Sequence, residues 1–371
     1  MITDMSSDQQ LFVETAIKFA ESARPISTAS ERMSTSVAEQ RDYRRQSAEL
    51  GWFAMLADED FGGGTVSGGG MLDAVLIADV RGQRLQPGAF AATNAVCYAI
   101  SQDGSDQQKA EVLADVVSGE HGIAWAMSGV TDTAPGIRAE HTDTGIVLSG
   151  SAALVQDAHL SRWLLVTATG PAGRCQYLIE TAQPGISVAV LDGLDLTRTF
   201  CSVEFDAVVV PTRATVGQSG TGDTLVERQL DIAAILTAAE AVGAMNSDFE
   251  LAVQYAKDRI AFGRPIGSFQ AVKHLLVDTS LDLEMSKAIV VAAARAVDRG
   301  DADASQLASM AKAFVSDSAI TLSQNCFQVF GGIGFTWEHD QHLYLRRLAV
   351  DSIIYADASW HRERVCRLAG L

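Results

Sequence analysis

The chain has 371 residues, 47% of them hydrophobic and 20% charged, with a formal net charge of −18. That composition is globular, and the length predicts two or three hydrophobic cores. The acidic balance argues against nucleic acid and against an anionic membrane surface as partners, since both need clustered Lys and Arg.

Cys97, Cys175, Cys201, Cys326 and Cys366 lie scattered with no paired spacing, which predicts reduced thiols and a cytoplasmic setting. The N-terminus shows no basic start followed by an apolar run. No apolar stretch approaches the roughly 20 residues of a membrane span.

Residues 1–120 read as helices. Leu11, Thr15, Ile17 and Phe19 begin one, and Tyr43 to Leu50, Met71 to Val80 and Gln107 to Val117 supply three more. The runs Gly62-Gly63-Gly64 and Gly68-Gly69-Gly70 have no Gly-Lys-Ser/Thr after them, so a loop is expected and not a phosphate cradle. Over 121–215 the period changes to two: the segments starting at Gly145, Arg162, Gln176, Ile186 and Phe200 are short, β-branched and bounded by Gly, Pro or Asp. They predict a small β-barrel or sandwich. From 225 to 371 helical spacing returns, with Ile232, Leu236, Ala239, Val242, Phe249 and Val253 on one face, and long apolar faces joined by short turns predict a helical bundle. The expected fold class is α+β: an N-terminal helical domain, a middle β domain and a C-terminal four-helix bundle.

Two segments of the bundle carry the most functional information. Arg259-Ile-Ala-Phe-Gly-Arg-Pro-Ile-Gly-Ser-Phe-Gln-Ala-Val-Lys-His274 is a broken joint: Gly263 and Pro265 stop one helix and the chain re-enters another near Ser268. The Arg259 fork can project past the helix end toward a diphosphate. In Gln328-Val-Phe-Gly-Gly-Ile-Gly-Phe335, Gly331 and Gly332 lack a Cβ, so a ligand can meet their backbone N–H groups. Taken singly, each also reads as an inter-helix turn or a helix cap.

Together these segments closely resemble the acyl-CoA dehydrogenase family, as does Glu49-Leu-Gly-Trp-Phe-Ala-Met-Leu-Ala-Asp-Glu-Asp-Phe-Gly-Gly-Gly64. The resemblance implies FAD as cofactor, an acyl-CoA substrate and an electron-transfer flavoprotein as acceptor. It implies Arg259, Phe262 and Gln270 on the diphosphate side, and Gln328, Val329, Phe330, Gly331 and Gly332 on the adenosine side, of a flavin seated mainly in a neighbouring subunit. Ser128 keeps a hydroxyl beside the flavin ring.

The family abstracts an α-proton with a glutamate at one of two positions. Here those positions fall on Tyr355 or Ala356, and on Ala233, none of them acidic. Asp231 is rotated about 200° from Ala233 around the helix, and Glu240 lies roughly 10 Å deeper. Asp357 is the best local substitute, against its reading as a helix cap. The family's aromatic plate and threonine behind the flavin ring are replaced by Ala153-Leu-Val-Gln156. An intact ADP grip beside an eroded base and ring pocket resembles one subunit of the α2β2 acyl-CoA dehydrogenases of actinobacterial steroid side-chain degradation. The expected partner is therefore a homologous subunit. The rivals are a homotetramer using Asp357 and a flavin-free structural subunit. His339 and His342 lack further ligands nearby, so no metal is expected.

Overall fold

The computed structural model describes residues 5–23, 36–127, 136–143, 145–218 and 220–371. The N-terminal helices are α1 (Ser7–Ala23), α2 (Val37–Glu49), α3 (Gly70–Gln83), α4 (Phe90–Asp103), and α5 (Asp106–Gln108) and α6 (Ala114–Val117), joined by a π turn. Local chemistry fixes their starts. The Ser36 hydroxyl accepts from the Glu39 N–H at 3.3 Å while the Glu39 carboxylate accepts from the Ser36 N–H at 2.8 Å, a closed capping box on α2. The first turn of α3 follows the second glycine run, and its Met71 and Leu72 N–H groups go to the Asp298 carboxylate at 2.8 and 2.9 Å. That helix start is therefore occupied by a side chain of the bundle and is not a phosphate cradle.

The middle strands are β1 (Gly122–Met127), β2 (Arg138–Thr142), β3 (Gly145–Gln156), β4 (Ser161–Gly170), β5 (Gly173–Glu180), β6 (Ile186–Leu191), β7 (Phe200–Val210) and β8 (Thr215–Val216). They form one sheet in the order β6-β7-β3-β2-β4-β5-β8, with β1 parallel to β4. Its interior is a separate core that includes Leu148, Leu164, Val166, Tyr177, Val203 and Phe205. The outer face of β1, with Ile123 and Trp125, joins the larger core of the helices. That exchange of faces seats the sheet between the N-terminal helices and the bundle.

The bundle is α7 (Gly222–Asp258), the two-residue strands β9 (Ile260–Ala261) and β10 (Arg264–Pro265), α8 (Gln270–Arg299), α9 (Ala304–Phe330), α10 (Gln341–Ile353) and α11 (Ala358–Leu368). The expected single apolar face of α7 is too narrow. From Gln229 to Met245 every residue is buried, because α3, α4, α8, α9 and α10 surround it. A Cβ on Gly82 would meet the Glu240 carbonyl at 1.8 Å and one on Gly243 the Asp79 carbonyl at 2.0 Å, so α3 and α7 touch backbone to backbone. Each Leu or Ile fully buried along this axis contributes about 1.5–3 kcal/mol.

Candidate active site and cofactor grip

The outer end of the bundle collects most of the residues that sequence reasoning placed on a nucleotide. Arg259 follows the last residue of α7, its N–H donating to the Tyr255 carbonyl at 2.8 Å and its side chain exposed. Phe262 sits at the tip of the β9–β10 hairpin, 95% exposed, with φ of +53° and an edge-on contact with Phe269. A β-carbon pays strain in that backbone region. Phe262, Gln328 and Val329 line one apolar groove with Phe269, Val272 and Leu275. Gln270 opens α8 and is exposed.

Gly331 ends α9 with φ of +61°, and a Cβ built on Gly331 or Gly332 would have no atom within 4 Å. The side chains of Val329 and Phe330 are buried in the bundle, so these two residues can offer a ligand little beyond their backbone. The Gly331 N–H is spent on the Phe327 carbonyl, but the open space beside Gly331 and Gly332, an exposed guanidinium and two exposed amides suit a pyrophosphate with an adenosine, so this half fits the ADP part of FAD. Phe335 at 78% and Trp337 at 67% exposure extend the uncovered apolar surface.

The inner end is closed. Ser128 lies outside the described residues. The Tyr355 ring stacks on Trp125, centroids 5.8 Å apart and planes at 20°, filling the space between β1 and the α10–α11 crossing. The Trp125 indole N–H donates to Thr167 at 2.9 Å. On β3, Leu154 takes φ of +58° and is 52% exposed, and no aromatic plate stands there. Ala356 and Ala233 are both buried.

The acids near these positions are engaged. Asp231 accepts from Arg364 at 2.5 Å and from Ser305 at 2.6 Å. Asp357 is exposed and caps α11, accepting from the Trp360 N–H at 2.8 Å. Glu240 accepts from Arg81 at 2.9 Å and Arg198 at 3.4 Å. It belongs to a buried cluster that sequence reading missed. In it Arg198 also donates to Asp195 at 2.8 Å and Asp351 at 2.5 Å, while Arg347 donates to Asp195 at 2.8 Å and to the Thr197 hydroxyl. Three arginines meet three carboxylates, and the cluster ties α3, the β6–β7 loop, α7 and α10 together. Burial pushes Asp351 up to about 6 against the pull of Arg198 and Arg347. Asp195 also pays for burial, but Arg347 and Arg198 outweigh it and hold the carboxyl far below the usual range. Three arginines and three acids dispersed over some 270 residues form no motif.

Lys312 and His361 complete the inner end. The Lys312 ammonium donates to the carbonyls of Asp351 at 2.8 Å, Ala356 at 3.1 Å and Ser352 at 3.3 Å, and to Ser316 at 3.2 Å. His361 Nε2 lies 2.9 Å from the Tyr355 carbonyl, and because a carbonyl only accepts, this nitrogen carries the proton. Burial lowers Lys312 to about 8, opposed by the charges of Asp351 and Asp357. Burial, and then the Lys312 charge, push His361 down to about 3.

Two family models match the chain. The acyl-CoA dehydrogenase N-terminal domain matches residues 6–120 and the C-terminal domain residues 220–365. Acyl-CoA dehydrogenase IpdE2 of Mycolicibacterium smegmatis is 30% identical over 346 residues, covering 92% of this chain and 93% of its own. The chain belongs to the acyl-CoA dehydrogenase family. Another member, FadE34 of Mycobacterium tuberculosis, is 34% identical over 320 residues, which are 85% of this chain but only 40% of that protein. The solved structure of PigA with FAD and proline superposes over 100% of both chains, with a TM-score of 0.89 at 23% identity, so the family fold is shared with an FAD-bound protein.

Proposed function

We propose that this chain is the base-free subunit of a heteromeric, FAD-dependent acyl-CoA dehydrogenase. In this reading it grips the ADP half of a flavin whose ring sits in a homologous partner, and that partner removes the α-proton. The observation that carries the reading is the contrast at the base positions: Tyr355 is stacked on Trp125, and Ala356 and Ala233 are buried. The described acids around them are spent as a helix cap or in ion pairs. A carboxylate serves as general base only within hydrogen-bond reach of the proton it takes, and the exposed Asp357 is turned to the N-terminus of α11.

FAD, when bound, would accept the β-hydride. The residues of this chain would do the holding. The Arg259 guanidinium would pair with pyrophosphate oxygens, the backbone at Gly331 and Gly332 would let the same nucleotide approach closely, and Gln328 and Gln270 would fix its polar edges. Phe262 would exclude water from the joint, and Phe262, Phe335 and Trp337 would be covered by the partner. For substrate class we propose a steroid side-chain thioester, supported by the resemblance to heteromeric actinobacterial enzymes. Electron-transfer flavoprotein is the proposed acceptor.

The test is co-expression with the product of the neighbouring open reading frame, followed by native mass, flavin content and turnover with an artificial electron acceptor. The pair should hold flavin and turn over, the chain alone should not turn over, and Arg259→Ala in this chain should strip flavin from the pair. Stoichiometric FAD and turnover by the chain alone would refute the reading.

A further inference from the structure

We infer that Lys312 and His361 form a lock on the α10–α11 crossing that seats Tyr355 against Trp125, so that the space between barrel and bundle is shut by the chain's own side chain. This inference rests on the reading of the chain as base-free, and deepens it by naming the groups that keep the inner end closed.

The geometry starts with the backbone. Tyr355 and Ala356 are consecutive non-glycine residues at φ of +55° and +78°. Each costs roughly 1–3 kcal/mol unless its surroundings impose it. What imposes it here is a set of donors converging on one loop. Lys312 reaches in from α9 and takes three carbonyls at the end of α10 and in the crossing. His361 reaches back from α11 and takes a fourth, that of Tyr355 itself. The α10 carbonyls face the ammonium as the negative end of a helix dipole, which favours a cation there. Asp357 pins the other side of the crossing by capping α11. With both flanks held, the Tyr355 side chain has one direction left, onto Trp125, which is 5% exposed and is fixed by its own bond to Thr167.

The roles are those of positioning residues, since the polar contacts of Lys312 and His361 run to this chain's own crossing. Both are fully buried and both spend their hydrogen bonds on main chain, apart from the one to Ser316. A lysine at that position kept only for packing would need no convergence of carbonyls. An apolar replacement would leave those carbonyls unpaired, and the loop would relax toward ordinary backbone angles.

The experiment reads the shielding of one indole. Trp125→Phe is subtracted from the parent chain to isolate Trp125 emission, and acrylamide quenching of that component is measured in the full chain without substrate or electron acceptor. Tyr355→Ala sets the open limit. In the parent, Trp125 should be weakly quenched. Lys312→Met and His361→Phe should raise its quenching severalfold toward that limit, and Lys312→Arg should restore part of the shielding. Helical circular dichroism shows that each variant is folded, and if Lys312→Met does not fold, His361→Phe decides.

Strong quenching in the parent would overturn the closure. Full shielding in both lock variants, with exposure in Tyr355→Ala, would overturn the lock. A chain that turned over unaided would instead sink the base-free reading, and it would leave the quenching result where it stood.

Discussion

The two ends of the bundle treat their polar and apolar groups in opposite ways. At the outer end Arg259 and Gln270 are exposed, Gly331 and Gly332 face open space, and Phe262, Phe335 and Trp337 are uncovered. At the inner end Arg81, Arg198, Arg347, Glu240, Asp195 and Asp351 pair with one another inside the protein, and Tyr355 stacks on Trp125. A surface finished by another molecule leaves its functional groups unspent, whereas buried charges pair with one another. Patches of bare aromatics on a monomer mark interfaces for the same reason.

The sharpest way to break this comparison is to remove one charge from each end. Arg198→Leu leaves Asp351 and Asp195 short of a partner in a dry interior, and about 3–5 kcal/mol of stability should be lost. Arg259→Ala, on the exposed joint, should change stability by no more than about 0.5 kcal/mol. Urea unfolding of the two variants checks both values. Equal losses would mean that the outer arginine is structural and that the contrast is false.

Next in size is the effect of a side chain in the open cradle. Gly332→Val should leave unfolding close to the parent, since no atom waits within 4 Å of the new Cβ. Flavin affinity of the assembled enzyme should fall by roughly tenfold to a hundredfold, about 1.4–2.8 kcal/mol, because the backbone no longer admits close approach. Flavin fluorescence titration reads it. An unchanged affinity would move the nucleotide elsewhere.

Much of the outer end was legible in sequence because its chemistry is local. Arg259, Phe262 and Gln270 stand on one joint, and Gln328 to Gly332 on one helix end, so spacing alone brings them together. The α+β order was legible from the change of period at residue 121. Helix α4 was not, since Phe90 to Ser101 is buried on nearly all sides and so shows no amphipathic stripe. The inner cluster was invisible for a related reason. Arg81, Arg198 and Arg347 come from three regions that only the tertiary fold joins, and each alone reads as a surface charge. Lys312 likewise reads as a solvated residue of an amphipathic helix until α10 is placed over it.

A smaller effect comes from pH at the inner end. Burial, and then the Lys312 charge, hold His361 down to about 3 in the folded chain, against about 6.5 for a free side chain. Below 6.5 the unfolded chain binds a proton that the folded chain does not, so this residue's contribution is intact above 6.5 and is lost as pH falls toward 3. The slope approaches about 1.4 kcal/mol per pH unit within that window. Asp351, raised to about 6, works with the opposite sign between roughly 4 and 6, so the comparison must be made between parent and variant. His361→Gln should show the shallower loss of stability between pH 6.5 and 5 in urea titrations. Parallel profiles would show that the imidazole already titrates near its ordinary value, which its burial beside Lys312 forbids.

The smallest effect sharpens the comparison most, because it carries opposite signs for folding and for assembly. Phe262 holds a left-handed backbone angle at a hairpin tip with its ring almost wholly in solvent. Its ring meets Phe269 edge-on and lines a shallow apolar groove, which repays little of that strain. Asn tolerates the left-handed region far better than Phe and loses little conformational entropy relative to it. Phe262→Asn should therefore raise the stability of the isolated chain by about 0.5–1 kcal/mol, seen as a higher urea midpoint with an unchanged slope. The same substitution should weaken assembly with the partner subunit, read by native mass at falling concentration. If it raises stability and leaves assembly intact, the tip is merely a strained turn. If it lowers stability, the ring is packed on its own chain in solution, and the outer end is no more open than the inner one.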